Sequence, residues 1–434
     1  MQAQHFSLLL IAFLAASIGV RLWLAARQYR HVALHQASVP AAFADRIPLQ
    51  SHQRAAAYTR AKLRLGVVDL LASALLLLGL TLGGGLQWLI EAWGQWLPGS
   101  PLLAQTGIVM SVVLVSSMLE LPFEIYRQFV QEARFGFNRM TVSLFVADLL
   151  KSTALGVVLG LPLLLAVLWL MREAGERWWL WVWAVWTAFN VAVLVVYPTW
   201  IAPLFNRFTP LEAGTVRARV EALLARCGFS SDGLFVMDGS RRSAHGNAYF
   251  TGFGKGKRIV FFDTLLARLD VDELEAVLAH ELGHFRKRHV ARRVAVSFAA
   301  SLAGLALLGW LATQRWFYEG LGVSGAASAV DAPGVTLVLF FLAMPVFGFG
   351  LRPLTAWLSR RDEFEADAFA ADHADAQRLA DALVKLYEDN ASTLTPDPLH
   401  SAFYDSHPPA AIRVGRLRRL ADAGRRTGAG LSAA

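Results

Sequence analysis

Residues 142–171 read VSLFVADLLKSTALGVVLGLPLLLAVLWLM, and from Ser152 to Met171 no residue carries a charge. A helix crossing a bilayer needs about 20 mostly apolar residues. This stretch supplies them, so the chain is read as a membrane protein. Six further stretches approach the same length: Phe6 to Ala25, Gly66 to Trp88, Leu102 to Leu121, Trp178 to Tyr197, Val294 to Thr313 and Val335 to Leu358. The last contains Pro345 and Pro353, whose freed backbone groups neighbouring helices can satisfy. The composition agrees. Of 434 residues, 55% are hydrophobic and 17% charged, against roughly a quarter charged in an average soluble protein.

The formal net charge is +8, and Lys occurs at only six positions. These positives flank apolar segments, which argues for a membrane face and against nucleic acid. Arg27 to Arg64 and Arg127 to Arg139 read as basic loops. The connections around Gly83 to Ser100, Arg172 to Arg177 and Gln314 to Asp331 hold fewer positives. The positive-inside rule then places the N-terminus outside and the C-terminus inside, as an odd number of spans requires. Phe6 to Val20 has its positives after the apolar run (Arg21 to Arg30), so it is expected to be a retained anchor rather than a cleaved signal. Cys227 is the single cysteine. It ends an amphipathic stretch and reads as core filler; no intramolecular disulfide can form.

The longest polar region, Asn206 to Arg293, lies between the fifth and sixth spans. Leu234 to Met237 reads as a strand. Asn247 to Phe253 and Arg258 to Asp263 read as a hairpin joined by Gly254-Lys255-Gly256. Those glycines lack the spacing and Lys-Ser/Thr ending of a phosphate loop. From Asp270 the pattern is helical, with Glu273 three residues on, close to a capping box. That helix carries His280-Glu281-Leu282-Gly283-His284.

Two histidines at i and i+4 share one helix face and can both reach one Zn²⁺. Glu281, beside the first of them, suits a general base that takes a proton from water and passes it to a leaving amine. Gly283 keeps the helix face small where something approaches closely. A peptidase zinc site takes three protein ligands and leaves one position open. The segment Arg360-Arg361-Asp362-Glu363-Phe364-Glu365-Ala366-Asp367 leaves the seventh span on the membrane face from which the His-pair helix enters the sixth. Glu363 fits as third ligand, Asp367 as the carboxylate that orients a ligand histidine, and Glu365 is the main competing ligand. Inside the spans, Glu120, Asp148 and Asn190 are expected to face an interior or to pair, with Lys151 as partner for Asp148.

Together with Phe135-Gly136-Phe137-Asn138, Tyr197-Pro198, Ile201 to Asn206, Ala244 to Phe250, Arg258 to Leu266, Glu363 to Ala370 and Ser406 to Pro409, these motifs resemble the type-1 CAAX prenyl protease (a-factor-converting) family of integral-membrane zinc peptidases. The resemblance covers most of the chain; Gly246 stands where a Ser is common and Asp405 where an aromatic is common. It implies a mainly α fold of about seven transmembrane helices enclosing a chamber, whose cytoplasmic end is closed by a zinc-peptidase domain with a small β-hairpin or sheet. It implies one Zn²⁺ per chain on His280, His284 and Glu363, with Glu281 as base. Asn247 and His407 are implied to meet the substrate backbone or the oxyanion, and Tyr249 and Arg413 to join Asn247 in substrate binding.

The expected organisation is residues 1–199 as spans one to five and 200–293 as a cytoplasmic peptidase domain. Residues 294–358 form spans six and seven, and 359–434 a cytoplasmic part supplying the third ligand. The function expected is a membrane zinc endopeptidase acting on peptide or membrane-associated substrates, monomeric in the bilayer. The Arg-over-Lys and Ala bias points to a bacterial inner membrane. A quality-control peptidase is the alternative, but its relatives have fewer spans. A non-catalytic scaffold or transporter would have no use for Glu281.

Overall fold

A computed structural model describes all residues except 230, 232, 252–257, 326–330 and 433–434. Among the described residues, seven helices are long and apolar enough to cross a membrane. The first two, α1 (Ala3–Leu34) and α2 (Leu49–Leu80), have 32 residues each. At 1.5 Å per residue each is about 48 Å long, well beyond a hydrocarbon core of about 30 Å. Their basic ends therefore project from the membrane as helix, where the sequence suggested one long loop from Arg27 to Arg64.

The second span does not reach Trp88. Gly84 adopts a left-handed conformation (φ +77°) that only glycine takes freely. The chain turns there into α3 (Gly85–Trp96), whose 12 residues are too few to cross. Next come α4 (Pro101–Tyr126), α5 (Val142–Glu173) and α6 (Trp178–Val196). A π-helical turn at Arg127–Glu132 extends α4 into the expected basic loop.

The polar region opens with β1 (Phe208–Pro210) and α7 (Thr215–Arg226), followed by β2 (Leu234–Met237), β3 (Ala248–Thr251) and β4 (Arg258–Phe262). The sheet order is β1-β2-β4-β3. β4 runs parallel to β2, with Leu234 opposite Ile259, and antiparallel to β3, with Ala248 opposite Phe261. The expected hairpin is present, and its Gly254-Lys255-Gly256 connection lies outside the described residues. β3 pairs with β4 alone and forms an edge of the sheet. Helix α8 (Val271–Arg286) starts with a complete capping box: Glu273 N–H donates to Asp270 Oδ1 and Asp270 N–H to Glu273 Oε2, both at 2.9 Å.

Crossings six and seven are α9 (His289–Leu311) and α10 (Pro333–Gly348). A single 3-10 turn, Phe349–Leu351, joins α10 to α11 (Arg352–His373). Pro345 sits inside α10 and Pro353 in the first turn of α11, where its missing N–H costs nothing. Helices α12 (Ala376–Asp389), α13 (Pro398–Tyr404) and α14 (Ala410–Ser432) complete the chain.

Burial is concentrated at the two ends of the bundle. One core joins Ile259 and Phe261 of β4, Leu278 and Leu282 of α8, Leu379 of α12 and Val414 of α14. Phe43 and Ile47, from the α1–α2 connection, belong to it as well. The other joins Leu10, Leu80, Ile108, Met171, Trp178, Leu308 and Val335, all at the opposite helix ends. Between them α2 has no buried residue from Thr59 to Leu76, α5 none from Val142 to Ala166, and α9 none from Val290 to Leu307. A helix packed in a solid bundle buries a stripe along its whole length. These three spans carry no such stripe along their middle portions.

Candidate metal centre

Helices α8 and α11 cross at Gly283. A methyl group there would lie 2.9 Å from the Ala366 Cα and 3.0 Å from its carbonyl oxygen. The close approach anticipated at Gly283 is thus the second helix, and it brings the face of His280 and His284 onto that of Glu363 and Asp367. His280 Nε2 and His284 Nε2 are 3.2 Å apart. Glu363 Oε2 lies 3.5 Å from His280 Nε2, and Oε1 lies 3.4 Å from His284 Nε2.

Those three separations permit a fit test. Donors bound tetrahedrally at about 2.0–2.1 Å stand about 3.3 Å from one another. The two histidine nitrogens have that spacing, each faces a different oxygen of the Glu363 carboxylate, and the three residues form a triangle whose corners, one ligand atom from each, lie within 4.8 Å of one another. Glu363 Oε2 is moreover buried without a hydrogen-bond partner, although the Nη1 of Arg413 stands 3.2 Å away as an ion pair. A buried carboxylate oxygen left short of donors is costly, and a cation among the three residues would satisfy it. Their nitrogen and oxygen donors suit zinc.

Behind the triangle, Asp367 Oδ1 lies 2.9 Å from His280 Nδ1, the nitrogen turned away from the convergence point. Asp367 is in turn clamped by Arg413, whose Nη2 and Nε donate to its two oxygens at 2.8 and 2.9 Å. Arg413, implied to join in substrate binding, is 4% exposed and its guanidinium is held by Asp367 and Glu363. Burial alone would lower its pKa; the two carboxylates outweigh that and hold it above the ordinary value. Burial and Arg413 likewise push His280 down, but hydrogen bonds to Asp367 and Glu363 prevail and raise it to about 9. Burial pushes the Glu281 carboxyl above its usual range, as a proton acceptor for water requires.

Glu365, the competing ligand, faces away from the triangle and pairs with Arg361 and His289, each at 3.1 Å. His289 escaped the sequence reading, although it stands only five residues after His284. Asp148 and Lys151 do not pair with each other. Arg242 donates to both oxygens of Asp148 at 2.9 and 3.1 Å, tying α5 to the polar region between the fifth and sixth spans, while Lys151 donates to the Leu204 carbonyl. Asn190 is satisfied on its own helix by the Trp186 carbonyl. Cys227 packs half-buried against the core that holds Leu278 and Val414, and burial raises its thiol pKa.

Of the residues expected to meet substrate, His407 comes nearest: its Nε2 is 3.5 Å from Glu363 Oε1, and its side chain is 62% exposed. It lines a cavity of about 650 Å³ with Arg21, Lys62, Tyr387 and Tyr404. Asn247 is exposed at the start of β3. Its Oδ1 accepts the Ala248 N–H, and its Nδ2 offers two donors. Phe250 packs on Phe285 of α8, ring centroids 5.1 Å apart, which ties the edge strand to the histidine helix. Tyr249 alternates to the other face, against Phe262 and Met237, away from the triangle.

Comparisons with known proteins cover nearly the whole chain. A model described as the CAAX prenyl protease N-terminal region, five membrane helices, matches residues 28–207, and one for peptidase family M48 matches residues 210–421. The chain is 38% identical to the CAAX prenyl protease 1 homolog of Arabidopsis thaliana over 333 residues, 74% of each chain. It is 34% identical to that of Oryza sativa subsp. japonica over 403 residues, 89% of this chain and 92% of the relative. With CAAX prenyl protease 1 of Saccharomyces cerevisiae it shares 35% identity over 70% of this chain and 69% of the relative. The crystal structure of S. mikatae Ste24p superposes with a TM-score of 0.87 at 30% identity, covering 95% of this chain and 99% of the other.

Proposed function

The chain belongs to peptidase family M48 and carries the CAAX prenyl protease N-terminal region; it is a membrane metalloprotease, and on that premise we propose that it is a zinc endopeptidase with His280, His284 and Glu363 as ligands and Glu281 as base. The observation that carries this reading is the convergence of one ligand atom each from His280, His284 and Glu363 within 4.8 Å of one another, with the two histidine Nε2 atoms 3.2 Å apart, near the spacing of about 3.3 Å between tetrahedral zinc ligands.

When bound, zinc supplies a Lewis acid that polarises the scissile carbonyl and acidifies water. Glu281 takes the proton from the attacking water and returns it to the leaving amine. Asp367 holds the His280 ring by Nδ1, and Arg413 holds Asp367. The substrate binds as an extended strand along the unpaired edge of β3, where backbone hydrogen bonds give affinity without demanding a sequence. The Asn247 amide and the His407 ring donate to the developing oxyanion.

The basic ends of α1, α2 and α4 lie at the peptidase end of the bundle, which supports a cytoplasmic peptidase half. The Arg-rich composition supports a bacterial inner membrane, and one chain holds the full ligand set, which supports a monomer. The named relatives are CAAX prenyl proteases, and prenylated C-terminal peptides are accordingly the first substrates to offer. The test is Glu281→Gln in the full-length chain. It should retain one zinc and the wild-type unfolding temperature while losing cleavage of a fluorogenic peptide. A variant that still turns over removes Glu281 as base.

A further inference from the structure

His284 has a partner on the ring nitrogen that faces away from Glu363. Its Nδ1 lies 2.9 Å from Nδ1 of His289, and Nε2 of His289 lies 3.1 Å from Glu365 Oε2. The His289 side chain is 1% exposed, that of Glu365 32%. Residues five apart on an unbroken helix point about 140° away from each other. These two meet because α8 ends at Arg286 and Arg288 takes a left-handed conformation, φ 57°, uncommon for a residue with a side chain. That break swings His289 back under His284.

Two imidazole nitrogens facing each other share one proton. With the metal on His284 Nε2, its Nδ1 must carry the proton and donate it. His289 Nδ1 then accepts, so the His289 proton sits on Nε2 and is donated to Glu365. The opposite arrangement would place a proton on His284 Nε2 and close it to a cation. Resting on the metal centre proposed above, we infer that His289 and Glu365 are positioning residues. Through two hydrogen bonds in series they fix the tautomer and ring angle of His284, as Asp367 does directly for His280. The two supports differ in surroundings. Asp367 is sealed beneath Arg413, whereas Glu365 reaches the surface beside Arg361.

The experiment measures zinc transfer from the purified full-length chain to a fluorescent chelator, with visible spectra of the cobalt-substituted protein as a second readout. Glu365→Ala and His289→Ala should each speed release about 10–100-fold, the usual effect of removing such a support. The double variant should release no faster than His289→Ala, because both changes cut one chain. His289→Gln should recover much of the loss, since its amide oxygen can accept from His284. Glu365 is partly exposed, so its variant remains foldable even if His289→Ala does not. Wild-type release from Glu365→Ala, or multiplying effects in the double variant, overturns the relay. Asp367→Asn separates the two readings: if it speeds release and Glu365→Ala does not, the metal centre stands and the relay falls. A wild-type chain that takes up no zinc sinks the metal centre and the relay with it.

Discussion

Gly283→Ala is the substitution that tests most directly how the ligands are brought together. The added methyl would stand 2.9 Å from Ala366 Cα, 3.0 Å from its carbonyl oxygen and 3.2 Å from Phe369 Cβ. Non-bonded carbons settle at about 3.5–4.0 Å, so α8 and α11 must part by roughly 0.6 Å or more. Both His–Glu363 approaches, one to each carboxylate oxygen, span that interface and stretch with it, from 3.4 and 3.5 Å to about 4 Å, drawing the carboxylate away from the spacing of about 3.3 Å between zinc ligands. Two effects on stability oppose each other. Overpacking costs about 1–3 kcal/mol, and replacing a mid-helix glycine by alanine regains about 1 kcal/mol. The fold should therefore weaken by no more than about 2 kcal/mol, while the site suffers far more. A displacement approaching 1 Å costs on the order of 100-fold in catalysis. The assay is paired: thermal unfolding, and zinc content with peptide turnover after dialysis against buffered zinc. Wild-type zinc affinity and turnover in Gly283→Ala would refute the account of how α11 delivers Glu363.

Further outcomes follow from other parts of the structure. Asn247→Ala should lower kcat about 100- to 1,000-fold with zinc content unchanged, the effect of losing one oxyanion donor; an unchanged kcat would remove Asn247 from the chemistry. Arg242→Ala leaves Asp148 without the ion pair that joins α5 to the peptidase half. It should destabilise by up to about 3 kcal/mol, read as a lower unfolding temperature with zinc affinity retained. Removing zinc with a chelator should lower the unfolding temperature reversibly, by the equivalent of about 2.7 kcal/mol relative to zinc at 100 times its Kd. Identical unfolding curves with and without zinc would contradict a metal held only by the folded state. Paired prenylated and unprenylated peptides of one sequence, compared by kcat/KM, would show whether the lipid is read at all.

Much was legible before any coordinates because it is local. A run of 20 uncharged residues such as Ser152 to Met171 has one stable solution in a membrane. Asp270 and Glu273 can close a capping box only at a helix start, and histidines at i and i+4 share a face whatever surrounds them. Glu363 was within reach because two crossings return the chain to the same side. One break, the turn at Gly84, stayed hidden because apolar residues continue through it.

Which side chain meets which across elements was decided by the tertiary structure. Lys151 is three residues from Asp148 in sequence, yet Arg242 arrives from the peptidase half with a fork that engages both oxygens at once. Arg413 comes beneath Asp367 only because α14 packs it there. His289 comes under His284 only because Arg288 departs from helical geometry. Hydrophobic patterning records that a face avoids water, not what it packs against. That α5 buries no residue from Val142 to Ala166 is decided by what stands beside it, which hydropathy does not record.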